Sequence, residues 1–175
     1  MKYFLLLLIL GSSFAAFAQS EAVHLQELQQ KWTNAKAYTL ALAESMPAEK
    51  YSFRPVEGEM TFGTQMVHLS SNMVWLCSEY LTDKKPPRIR KDVDGFADKS
   101  KDEVLQVVSE SLDYASETLK NFDPEKLNET VRFFSGPMTK RQIINLMNDH
   151  LTHHRAQAIV YLRLNGVLPP KYVGW

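Results

Sequence analysis

Residues 140–166, KRQIINLMNDHLTHHRAQAIVYLRLNG, read as one long amphipathic helix with its own start and stop signals. With Ile143 set at zero and an advance of about 100° per residue, Met147, His150, His154, Ala158 and Tyr161 fall within an arc of about 80°. Both histidines therefore share the apolar stripe, whereas His153 lies toward its edge. Thr139-x-x-Gln142 has capping-box spacing at the start, Gly166 stands where a helix C-terminus favours glycine, and Pro169-Pro170 prevents resumption. A helix with one such stripe needs partners that cover it.

Three further segments carry the same period. One runs from about Ser20 to Met46 and stops at Pro47, with Leu25, Leu28, Trp32, Ala35 and Thr39 three or four residues apart. The next starts at Thr61, a plausible N-cap, and runs to about Leu81 before Pro86-Pro87; its apolar face is Met66, Leu69, Met73, Cys77 and Tyr80. The third opens on the capping box Ser100-x-x-Glu103 and continues through Val104, Val107, Val108, Ser111 and Ala115 to about Asn121. The connections at 84–96 and 123–138 read as irregular, and no stretch alternates strictly enough to argue for a sheet. The expected architecture is all-α: a four-helix bundle with long connections, in which metal and ligand sites are built from facing helices.

At the other end, MKYFLLLLILGSSFAAFAQS has one positive charge, an apolar run from Tyr3 to Leu10 and small residues ending Ala16-Phe17-Ala18. This pattern predicts a secretory signal peptide over residues 1–18, cleaved near Ala18, and a bundle domain over 19–175 that is periplasmic or secreted. The apolar run falls short of the roughly 20 residues of a membrane span, so stable membrane insertion is not expected. Acidic and basic residues balance at 20 each, which gives no electrostatic footprint for nucleic acid. A small-molecule partner fits better. Cys77 is the only cysteine, so no internal disulfide exists, and it reads as a small buried hydrophobe.

Two imidazoles four residues apart on one helix face can converge on one ion, which would satisfy ring nitrogens that are costly to bury unpartnered. The same spacing is compatible with hydrogen bonds to neighbouring helices or with a wet groove. His68 shares a stripe with Gln65, Asn72, Trp75 and Glu79. Periodicity makes that either a solvated face or, alternatively, the wall of an internal pocket. His24 reads as a surface residue, and Arg155 points away from the histidines toward an acidic partner.

KYSFRPVEGEMTFGTQMVHLSSNMVWLC (50–77) and NDHLTHHRAQAIVYLRLNGVLPP (148–170) resemble the DinB-like superfamily of metal-dependent four-helix bundles, related to thiol-dependent S-transferases. The most specific part is His150, three residues, then His154-Arg155-x-Gln157. The resemblance implies one divalent ion, zinc or nickel foremost, held by His68, His150 and His154. Asn72, Trp75, Glu79, Gln157 and Tyr161 would then be neighbours of the ligands or of the pocket. Where relatives often carry Gly after His-Arg, this chain has Ala156, which removes no ligand. The resemblance further implies thiol-transferase-like or, through activated water, hydrolase-like chemistry, and allows a homodimer formed by helix packing. A non-catalytic metal- or ligand-binding bundle is the alternative. A haem carrier fits poorly, because three converging histidines suit a small ion better than one porphyrin.

These readings generate a direct test. His68→Ala, His150→Ala and His154→Ala are each expected to lose stoichiometric metal by elemental analysis, while His153→Ala keeps it; unchanged metal in His154→Ala would overturn the ligand set.

Overall fold

The computed structural model describes residues 2–174. Helix α1 spans Lys2–Ser45; α2, Phe62–Leu76, is prolonged by one π turn, Cys77–Leu81; α3 is the single turn Arg90–Asp94; α4 spans Lys101–Lys120 and α5 spans Lys140–Leu164. An antiparallel hairpin, β1 Thr130–Phe133 and β2 Gly136–Thr139, leads into α5. The signal peptide expected at 1–18 lies outside the residues whose side chains are described, and its backbone from Lys2 continues unbroken into the stripe expected from Ser20. No helix among the described residues is long and apolar enough to cross a membrane.

Helices α1, α2, α4 and α5 form the bundle. Helix α2 lies between α4 and α5, and α1 closes the ring by packing on both. The stripes read from sequence are the faces that pack: Trp32, Ala35 and Thr39 of α1, Met66, Leu69, Met73 and Cys77 of α2, Val104, Val107, Val108, Ser111 and Ala115 of α4, and Ile143, Met147, Ala158 and Tyr161 of α5 are all buried. All three expected N-caps are made. Thr61 Oγ1 accepts from Thr64 N at 3.1 Å, and Ser100 and Thr139 each form a complete capping box with Glu103 and Gln142.

The last carbonyls of α1, orphaned by the break at Pro47, are satisfied by Lys101, whose Nζ donates to Glu44 O at 2.6 Å and Met46 O at 2.8 Å. That bond also sets the start of α4 against the end of α1. Tyr51 Oη donates to Ala43 O at 2.8 Å and holds the α1–α2 connection down.

Two expectations need correction. The connection at 123–138 is not wholly irregular, since it contains the hairpin, so the fold is a helical bundle with a small sheet rather than purely all-α. Four-residue strands are too short for alternation to register, and Gly136-Pro137 masks them further. Gly136 sits at φ +127°, and Pro137 pairs with Arg132, a position tolerated because both strands are edges. The crossing connection at 84–96 is also more ordered than its composition suggests. Tyr114 Oη donates to Lys84 O at 2.6 Å, Arg88 pairs with Glu110 at 2.7 Å, and Val93 of α3 is fully buried. These anchors lay α3 along α2.

Because Thr139 satisfies the first turn of α5, Thr139→Ala should cost about 1 kcal/mol of stability in urea unfolding. A cost near zero would show that the hairpin alone positions the start of α5.

Candidate metal centre

His68 projects from the middle of α2, and His150 and His154 project from successive turns of α5. Because α2 and α5 pack directly on each other, the polar stripe of α2 meets the histidine stripe of α5. One ring nitrogen from each of the three imidazoles lies within 4.8 Å of the others. The rings are 4.5 Å (His68–His154), 4.4 Å (His150–His154) and 5.0 Å (His68–His150) apart between centroids. His153 is exposed, set edge-on to His154 at 4.9 Å, and stays outside the cluster. The stripe of α2 from Gln65 to Trp75 thus walls a partly buried site, and only its end at Glu79 is a solvated face.

A chain of hydrogen bonds orients His154. Its Nδ1 lies 2.5 Å from Gln65 Oε1; Gln65 Nε2 donates to Tyr161 Oη at 3.4 Å, and Tyr161 Oη donates to Met60 O at 3.0 Å. An amide oxygen can only accept, so Nδ1 carries the proton and the Nε2 lone pair faces the cluster. Gln65 is 1 % exposed, and this role was missed by periodicity, which placed it on the stripe without distinguishing it from Asn72 or Glu79. The available signal was a glutamine one turn before a histidine on the same stripe of the helix.

The rings are held neutral, so that one nitrogen of each keeps its lone pair. Burial, then the neighbouring His154, His68 and His153 and the charge of Arg90, push His150 down to about 3. Burial, then His68 and His153, push His154 down to about 4, with only the Gln157 amide opposing. His68 is lowered from 6.5 chiefly by burial, against the opposing field of Asp94. Near neutral pH all three present lone pairs. His68 Nε2 and His150 Nε2 face each other at 3.1 Å, where one shared proton could satisfy that pair but would leave His154 out. One cation would satisfy all three at once, so the donor set fits a divalent metal.

The other expected residues divide. Tyr161 is buried and acts through Gln65. Asn72 is half-buried with its side-chain oxygen enclosed and unpartnered, and Gln157 is half-buried beside His154. Trp75 sits at the edge of the site against Phe133 and Tyr80, at 5.7 and 5.9 Å. Glu79 is exposed on the π turn. Arg155 corrects its expectation: it is buried, stacks on Tyr38 at 5.0 Å and donates to Ala35 O and Thr152 Oγ1, with no carboxylate partner among the described residues. His24 is half-buried rather than on the surface. Ala156 is exposed, so its methyl group leaves the ligands undisturbed. Cys77 is buried against Met147, and burial pushes its thiol up to about 12, so it supplies no thiolate. A broad cleft between α1 and α4, lined by Gln29, Gln30, Asp113 and Asn121, contains no histidine and lies apart from this chemistry.

Gln65→Leu would leave His154 Nδ1–H without its acceptor. It is expected to weaken metal affinity by about 10- to 100-fold, measured against a chromophoric chelator, while Gln65→Glu retains most of it. Equal affinity in all three proteins would remove Gln65 from the site.

The chain is similar to known proteins in sequence pattern and in fold. The DinB superfamily pattern matches residues 31–158, a span that includes all three histidines. No curated protein matches the sequence. In structure the chain is similar to a DinB-like protein from Bacillus cereus, with TM-score 0.66, 19% identity, and coverage of 85% of this chain and 97% of that one. A DinB-like protein from Bacillus subtilis gives TM-score 0.59 at 18% identity, covering 80% and 92%, and a conserved protein from Enterococcus faecalis gives 0.62 at 13%, covering 79% and 95%. These likenesses establish a common fold. With its sequence matched over most of its length, the chain belongs to the DinB superfamily.

Proposed function

We propose that this protein is an exported, divalent-metal-dependent enzyme that acts on a small molecule. The observation that carries the reading is the donor set: three neutral imidazoles from two helices, with no fourth histidine, cysteine or carboxylate in the group among the described residues. Structural zinc sites are closed by four protein ligands, whereas three leave room for a reactant. Zinc or nickel suits an all-imidazole set, and such an ion would act as a Lewis acid toward a bound reactant.

The chain's own residues define what surrounds that reaction. His68 and His150 are only half-buried, so the cluster is reachable from outside, while His154 is backed by Gln65 and Tyr161. Asn72, one turn beyond His68, is half-buried with its side-chain oxygen enclosed behind the cluster. Since Cys77 is buried and protonated, a thiol reaction would need its thiol from a second substrate. Hydrolysis needs only water, and for a protein outside the cytoplasm it is the simpler of the two chemistries.

Elemental analysis of the purified protein should find about one zinc or nickel per chain. The reloaded protein should then turn over substrates in a screen of thiol transfer and of ester and amide hydrolysis, with activity lost in His150→Ala. Absence of stoichiometric metal after purification and reloading would overturn the proposal. N-terminal sequencing of the exported protein should begin at Gln19.

A further inference from the structure

The histidine cluster accounts for His68 but not for what lies beyond it on the same face of α2. Trp75 follows His68 by seven residues, so it lies almost directly in line with it and about 10 Å along the axis. Asn72 lies between them, with its oxygen enclosed and unpartnered. Over the far end of this line sits Arg90 of α3, its guanidinium carbon 4.7 Å from the centre of the Trp75 ring. The hairpin closes the other side. Phe134 stacks beside Trp75 at 6.3 Å with the ring planes 26° apart, yet it is 83% exposed.

Arg90 has no carboxylate partner among the described residues, unlike its neighbour Arg88, which is committed to Glu110. An unpaired guanidinium held flat on an indole is oriented by that ring and leaves its N–H edge free for an anion. The charge available matches a monoanion. Asp94, one turn on along the same short helix, would oppose a doubly charged group such as a phosphate.

We propose that the line from the histidine cluster past Asn72 to Trp75 and Arg90 is a substrate track for a small carboxylic acid with a flat apolar body, its carboxylate on Arg90 and its body against Trp75 and Phe134. The track rests on the metal-enzyme reading, because it places the end of the substrate opposite the carboxylate at the three histidines. It assigns Arg90 and Trp75 to specificity rather than to catalysis.

The test compares 3-phenylpropionate with its neutral amide, 3-phenylpropanamide, by NMR titration of the full chain loaded with Zn²⁺. The carboxylate should bind about tenfold or more tightly than the amide. Arg90→Gln should abolish that preference while retaining zinc, and Trp75→Ala should weaken both probes alike. Equal binding of the two probes, no binding of the carboxylate, or a preference that survives in Arg90→Gln would each overturn the track. Zinc measured on the same samples separates the two readings: a preference lost in Arg90→Gln in a protein without stoichiometric zinc sinks the metal site and supports the anion contact.

Discussion

The bond from His154 Nδ1 to Gln65 Oε1 joins α5 to α2 at the level of the histidines, and the rest of the site depends on it. It decides which ring nitrogen faces inward. It also lies in a run of donors that ends on the Met60 carbonyl, just before the N-cap of α2. Gln65 and Tyr161 in that run each both receive and give, and the imidazole cannot rotate without breaking the run. His150 lacks such an acceptor, for its Nδ1 is enclosed and unpartnered. The two histidines contributed by α5 are therefore held unequally, His154 by a network and His150 by packing and by its neighbours.

Burial is what makes this arrangement chemically useful. An imidazole in water is half protonated near pH 6.5, and three of them together would repel one another as cations. Enclosure between α2 and α5 removes the water that would stabilise the charge, and His68 lowers the proton affinity of both His150 and His154, as His154 lowers that of His150. The result is a group of lone pairs that persists at neutral pH. The same enclosure acts oppositely on Cys77, keeping its thiol protonated within the core. One physical cause thus prepares the histidines and silences the cysteine.

The segments with the least regular sequence supply the surroundings of the site. The connection containing α3 is held by Arg88, Val93 and the Tyr114 hydroxyl, and this is what brings Arg90 over Trp75. The hairpin carries Phe133 and Phe134 to the same place. Neither could be read locally. The residues 84–96 are charged and broken by prolines, and 130–139 is too short and too interrupted by Gly136-Pro137 to show a period of two. Their positions depend on contacts with helices remote in sequence.

By itself the sequence determined the four long helices, their caps and the stripes by which they pack, because capping spacing and a 3.6-residue period are local properties of the chain. It also separated His150 and His154 from His153 by angle alone. It left His68 undecided between a solvated face and a pocket wall, since the same polar stripe serves either role until a partner helix is specified; only likeness to other chains tipped that reading toward a ligand. The tertiary structure packs α5 on that stripe and so brings His68 against His150 and His154. It also singled out Gln65, turned Arg155 inward onto Tyr38 and carried Arg90 to Trp75. All of these depend on which helix faces which, and that is set by the closure of the whole bundle rather than by any one segment.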